Sequence, residues 1–140
     1  MAEQSKYIRW FEDLSNEDTA QVGGKNASLG EMIRTLKKEG VNIPNGFATT
    51  AEAYRRYLEE NEMAETIRSL IDQLNGGKKS LDAVGEEIRR AFYKGEFPEE
   101  IAEGITQAYQ RLCDISDRDD IDVAVRSSAT AEDLPDASFA

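Results

Sequence analysis

Histidine is absent from this chain of 140 residues. Its absence removes Ser-His-Asp and Cys-His catalysis, His-ligated metal sites and any phosphohistidine from within the chain. Cysteine occurs once, at Cys113, so an internal disulfide cannot form. A reducing cytoplasm is the simplest setting for such a sequence. Long apolar runs are missing, so no stretch reads as a membrane span. The start, Met1-Ala2-Glu3-Gln4-Ser5-Lys6, lacks the apolar region of a secretory signal. Positive charge is scarce: 17 Lys and Arg stand against 28 Asp and Glu, for a net charge of −11. That balance argues against nucleic acid, whose phosphates reward a basic surface. A nucleotide stays open, because one small anion needs only a local cluster of Lys, Arg and N–H groups.

What is present suits one soluble globular domain, with 39% hydrophobic and 32% charged residues. At this length roughly two-thirds of the unfolded surface can be buried, so independent folding is expected. The stretch that organises the rest is Val22-Gly23-Gly24-Lys25-Asn26-Ala27-Ser28-Leu29-Gly30-Glu31-Met32. From Leu29 the apolar residues fall at Leu29, Met32, Ile33 and Leu36, one face of a helix. Lys25 therefore stands at or just before a helix N-terminus, on a loop that glycine lets bend. Unpaired N–H groups and the helix dipole favour an anion there, and a phosphate is the natural guest. The same residues also fit an ordinary turn with a solvated lysine. The pattern is not a P-loop, because the first glycine and the Lys-Ser/Thr pair are missing.

Tyr7-Ile8-Arg9-Trp10-Phe11 reads as a strand. Ser15 can cap a short helical turn, with Asp18 three residues on. The lysine-bearing helix runs to about Lys38 and stops at Gly40. Gly30 inside it costs about 1 kcal/mol relative to alanine. Either a close backbone neighbour or a tolerated defect accounts for it. A turn at Val41-Asn42-Ile43-Pro44-Asn45 leads to a short strand at 46–49, and Thr49-Thr50-Ala51-Glu52 fits a capping box. Residues 51–113 read as helices. The first turns Tyr54, Tyr57 and Leu58 inward, and the next Met63, Ile67, Leu70, Ile71 and Leu74. The third is capped by Ser80 and carries Leu81, Val84, Ile88, Ala91 and Phe92 inward. The last starts at Pro98 and carries Ile101, Ile105, Ala108, Tyr109 and Leu112. These stripes are core, and Cys113 packs near a helix end. Asp114 to Asp120 is a polar connector without the Gly and closing Glu of a calcium loop.

Ile121-Asp122-Val123-Ala124-Val125-Arg126 reads as the clearest strand, leaving Arg126 on its more open face. The hydroxyl-rich stretch 127–140 follows, without helical or strand period. It reads either as a functional loop or as a tail behind a salt-bridged arginine.

Taken together, Trp10-Phe11, Val22 to Met32, Ile43-Pro44-Asn45-Gly46-Phe47, and Val125-Arg126-Ser127-Ser128-Ala129-Thr130-Ala131-Glu132-Asp133-Leu134-Pro135-Asp136-Ala137-Ser138-Phe139-Ala140 are more specific than any of them alone. The set resembles the N-terminus of the phosphoenolpyruvate synthases (pyruvate, water dikinases). The wider group includes pyruvate phosphate dikinase and rifampicin phosphotransferase, which remain alternatives. The resemblance runs from about Trp10 to Ala140, and residues 51–113 add little to it.

The resemblance implies a mixed α/β fold, a small sheet with several packed helices. Residues 1–140 would be the N-terminal part of an ATP-grasp-like nucleotide-binding domain, truncated at its C-terminus. The sheet would draw on residues near 7–11, 46–49 and 121–126. Lys25 and Arg126 match the lysine and arginine that contact ATP phosphates in the family. Ser127 and Ser138 would line the same pocket. A mobile ammonium and a planar guanidinium fork suit a polyphosphate, with Mg²⁺ completing the clamp. The metal ligands are expected outside this chain, and Glu132 and Asp133 read as solvated loop carboxylates. No catalytic residue is expected within 1–140. In the family a histidine on a separate domain carries the phosphoryl group from ATP to pyruvate, giving phosphoenolpyruvate, AMP and phosphate. The expected partners are thus ATP, pyruvate bound by other domains, and those domains themselves. The isolated chain would be inactive. A reading of another class is a non-catalytic helical interaction module with an acidic surface.

Overall fold

The computed structural model describes residues 5–130. They form two compact units: one holds the described residues up to Ala53 and from Glu100 onward, and the other runs Tyr54–Glu99.

The first unit is organised by a short two-stranded antiparallel sheet. Strand β1 (Ile8–Trp10) pairs with β2 (Phe47–Thr49), in the register Ile8 with Thr49, Arg9 with Ala48 and Trp10 with Phe47. The Trp10 and Phe47 rings meet at 5.6 Å between centroids. Such aromatic cross-strand pairs stabilise a sheet that is otherwise too small to persist. Phe11 leaves the strand for a 3₁₀ turn (Phe11–Asp13), with its N–H donated to the Gly46 carbonyl at 3.0 Å. Ser15 and Asp18 then form the expected reciprocal cap. The Ser15 N–H donates to Asp18 Oδ2 at 2.9 Å, and the Glu17 N–H donates to Ser15 Oγ at 3.3 Å.

Helices α1 (Thr19–Val22) and α2 (Gly24–Lys38) follow, separated only by Gly23. Gly30 of α2 is buried against the preceding turn. A Cβ there would lie 2.5 Å from Leu14 Cβ and 2.8 Å from the Phe11 carbonyl oxygen. Of the two explanations for this mid-helix glycine, the close neighbour is the right one. Leu14, Val22, Ala27 and Ala48 form one apolar cluster beneath α2. Tyr7, Ile8, Ala53, Ile101 and Ala108 form another, which ties the sheet to α6 (Glu99–Ile115). Cys113 is buried in the last turns of α6, as its apolar neighbours predict.

Helix α3 (Ala51–Glu60) starts one residue later than a cap at Thr49 implies. Thr49 is held in the sheet, so Thr50 takes the capping position. Its Oγ1 accepts the Ala53 N–H at 3.2 Å and donates to the Lys6 carbonyl at 2.6 Å.

In the second unit, α4 (Met63–Asn75) and α5 (Leu81–Lys94) pack together, with Met63, Leu70 and Val84 buried. Ser80 caps α5 as expected, accepting the Ala83 N–H at 3.2 Å. The apolar stripes overstate the burial here. Tyr54, Ile71 and Leu81 are exposed, Leu81 to 70%. A unit of this size has too little interior to cover every apolar position. The aromatic positions instead stack on one another. The Phe92 ring stacks with those of Tyr54 and Tyr57 at 6.1 and 5.8 Å, and Tyr57 donates its hydroxyl to the Phe92 carbonyl at 2.7 Å.

The third strand is a correction. Residues 121–126 form no strand, and the sheet has two strands among the described residues. Alternation requires a partner before it becomes a ladder, and none is supplied among the described residues. Val123 and Val125 accordingly stand exposed, Val125 to 91%. No helix among the described residues is long and apolar enough to cross a membrane.

Candidate functional site

The N-terminus of α2 and the segment following residue 126 meet in space, although 102 residues separate them in sequence. Three consecutive residues on each side take part. Gly24 donates its N–H to the Ala129 carbonyl at 3.1 Å. Lys25 Nζ donates to the Ser127 carbonyl at 3.1 Å. Asn26 donates its N–H to Ser128 Oγ at 3.4 Å, and its side-chain amide turns back to the Val22 carbonyl at 2.9 Å.

Gly23 makes this approach possible. Its φ of +84° with ψ of 160° lies where a side chain is strained. A Cβ there would also fall 2.2 Å from Ser128 Oγ and 3.0 Å from both the nitrogen and the oxygen of Ala129. Glycine is thus required twice over, by its backbone conformation and by the segment lying across it.

The geometry changes the expected character of the site. The N–H groups at the start of a helix have no partner within it and normally wait for an anion. At Gly24 and Asn26 those donors are already used by oxygens of the chain itself. Both oxygens are neutral, so the positive end of the α2 dipole keeps its charge. A negatively charged ligand would be met chiefly by side chains at the rim. Lys25 is exposed there, Arg126 is exposed next to Ser127, and Ser128 is half-buried.

Of the residues singled out in the sequence, the structure brings Lys25 to Ser127 and places Arg126 one residue away along the chain. It is the carbonyl of Ser127, not its hydroxyl, that meets the lysine. Ser138, Glu132 and Asp133 lie outside the described residues. Ser128 and Asn26 were not legible as part of the site. A cap supplied from so far along the chain leaves no local signature. The only hint was the run of hydroxyls after Arg126. Tyr109 was likewise read as core. Its hydroxyl is instead bonded to the chain at residues 120 and 121.

The family described as "Pyruvate phosphate dikinase, AMP/ATP-binding domain" matches residues 19–140, which include both halves of this contact. The chain belongs to that AMP/ATP-binding domain family. A phosphoenolpyruvate synthase of Neisseria meningitidis serogroup B is 50% identical over 135 residues, covering 96% of this chain and 17% of the relative. One from Aquifex aeolicus is 46% identical over 134 residues, covering 95% of the chain and 16% of the relative. One from Escherichia coli is 43% identical over 137 residues, covering 97% and 17%. The chain therefore spans about one-sixth of the length of these relatives.

The members' AMP/ATP ligand is a polyphosphate or a phosphate monoester with a planar base. Lys25, Arg126 and the serines beside them are polar and cationic side chains near the α2 N-terminus. They offer one ammonium, one guanidinium and the serine hydroxyls. For a metal, no group of three or more Asp, Glu or Cys side chains gathers among the described residues.

Proposed function

We propose that this chain is the leading part of the ATP-binding domain of a phosphotransferase of the phosphoenolpyruvate synthase type. The parent reaction converts ATP, pyruvate and water to phosphoenolpyruvate, AMP and phosphate. Lys25 and Arg126 contact the phosphates from two sides, with Ser127 and Ser138 at the same pocket. Lysine supplies a point charge on a flexible stem, and arginine a fork matched to two oxygens. Charge placed around a transferring phosphoryl group is the main contribution such a site makes.

The observation that carries this reading is the junction of Gly24, Lys25 and Asn26 with residues 127–129. That junction joins Lys25 to the residue following Arg126, in a chain of an AMP/ATP-binding family, and so supports the reading. Mg²⁺ belongs to the same reading as the ion that would neutralise the polyphosphate, held by ligands outside this chain. The carrier histidine belongs to another part of the parent enzyme, because this chain has none. An ATP-grasp architecture, a role in gluconeogenesis and a cytoplasmic location complete the proposal. The lone buried Cys113 suits that compartment.

The test is turnover of the full-length enzyme carrying Lys25→Ala or Arg126→Ala. Each removes a charged contact to phosphate, for which hydrogen bonds to charged groups contribute about 1.5–3 kcal/mol. That corresponds to about 10- to 100-fold in the ATP-dependent rate. Wild-type turnover in both variants rejects the assignment.

A further inference from the structure

We propose that Tyr109 is a positioning residue for the Lys25–Arg126 site, acting through its hydroxyl on the segment that carries Arg126. The proposal rests on the phosphate-contact reading above.

Tyr109 sits on α6, next to the buried Ala108 and one turn before the buried Leu112 and Cys113, so its backbone is on a fixed element. Its Oη accepts the Ile121 N–H at 3.1 Å. The same oxygen lies 2.9 Å from the Ile121 carbonyl and 3.0 Å from Asp120 Oδ1. A phenol has one proton, which it shares between these two acceptors. One hydroxyl therefore satisfies both backbone polar groups of Ile121. A residue on a neighbouring strand does the same in a sheet. This matters because residues 121–126 have the alternation of a strand and no ladder to hold them among the described residues.

The segment is consequently tied at two places. Ile121 is held to α6 by Tyr109, and residues 127–129 are held to the first turn of α2. Arg126 lies between the two ties, next to the second. Releasing the first lets the segment drift, weakens the second, and moves Arg126 relative to Lys25.

Amide hydrogen exchange in the chain 1–140 tests this without any ligand. Gly24 and Asn26 occupy the first turn of α2, where N–H groups have no intrahelical acceptor. Their protection thus reports the contact with residues 128 and 129. In Tyr109→Phe both amides should exchange about fivefold faster, the fold-change of one neutral hydrogen bond, while Ile33 in mid-helix keeps its rate. Asp120→Ala leaves the hydroxyl paired with Ile121 and should leave Gly24 and Asn26 at wild-type rates. Faster exchange at Ile121 alone overturns the proposal, since the tyrosine would then act only locally. A uniform rise that includes Ile33 also overturns it, in favour of a plain folding role. A titration of the full-length enzyme with Mg-ATP adds the functional arm: Tyr109→Phe should weaken Kd about fivefold, and Asp120→Ala should not. If Lys25→Ala and Arg126→Ala leave ATP affinity of the full-length enzyme unchanged, the phosphate reading falls and the exchange result still decides the tether. If exchange at Gly24 and Asn26 does not change, the tether falls whatever ATP does.

Discussion

Replacing Gly23 by alanine strikes the point where the two ends of the site meet. The backbone there has φ +84° and ψ 160°, a region that costs a non-glycine residue about 1–3 kcal/mol. The new Cβ would stand 2.2 Å from Ser128 Oγ and 3.0 Å from the backbone of Ala129. The segment must move, and the bonds from Asn26 and Gly24 to it are lost. Each such bond contributes about 1 kcal/mol net. Alanine recovers about 0.4–1 kcal/mol by restricting the unfolded chain. The balance is a loss of about 3 kcal/mol. Urea unfolding followed by the fluorescence of Trp10 measures it, because the single tryptophan lies in the same unit. The midpoint should fall with little change in slope. In a Ser128→Ala background the hydroxyl is gone, so the cost of Gly23→Ala should shrink by about 1 kcal/mol, the coupling expected of contacting residues. A Gly23→Ala chain as stable as wild type would refute the crossing of the segment over Gly23.

Two further outcomes follow from packing. Gly30→Ala gains about 1 kcal/mol of helix propensity. It also places a methyl 2.5 Å from Leu14 Cβ and 2.9 Å from the Leu14 carbonyl oxygen. Overpacking of that kind costs about 1–3 kcal/mol, so thermal unfolding should show a net loss, and a rise in Tm would mean the turn at Leu14 is not pressed on α2. Val125→Lys should change stability by less than about 0.5 kcal/mol, as surface substitutions do, because Val125 is 91% exposed. A loss several times larger would show Val125 buried in a strand in solution.

The local elements were legible where their cause is local. The aromatic run at 7–11, the Ser15–Asp18 cap, the glycine stop after Lys38 and the Ser80 cap all depend on neighbours within a few residues, and each appears. The Thr50 cap was displaced by one residue because pairing of Thr49 with Ile8 overrides the capping pattern. The strand at 121–126 failed for the opposite reason. Its alternation is real, and no ladder forms with any described residue. The cationic half of the proposed site is named from Gly-Gly-Lys and the Arg-Ser-Ser stretch. Its oxygen half could not be read so, because Ser128 capping α2 and Tyr109 holding Ile121 are products of the tertiary fold.

The most direct test of the central claim is an ¹⁵N–¹H spectrum of this chain titrated with Mg-ATP. If the two ends make one phosphate-contacting site, shifts gather at Gly23, Gly24, Lys25 and Asn26 and at Arg126, Ser127 and Ser128. They should be absent from the amides of α4 and α5. Shifts at saturating ATP confined to one of the two groups, with the other unmoved, would contradict it.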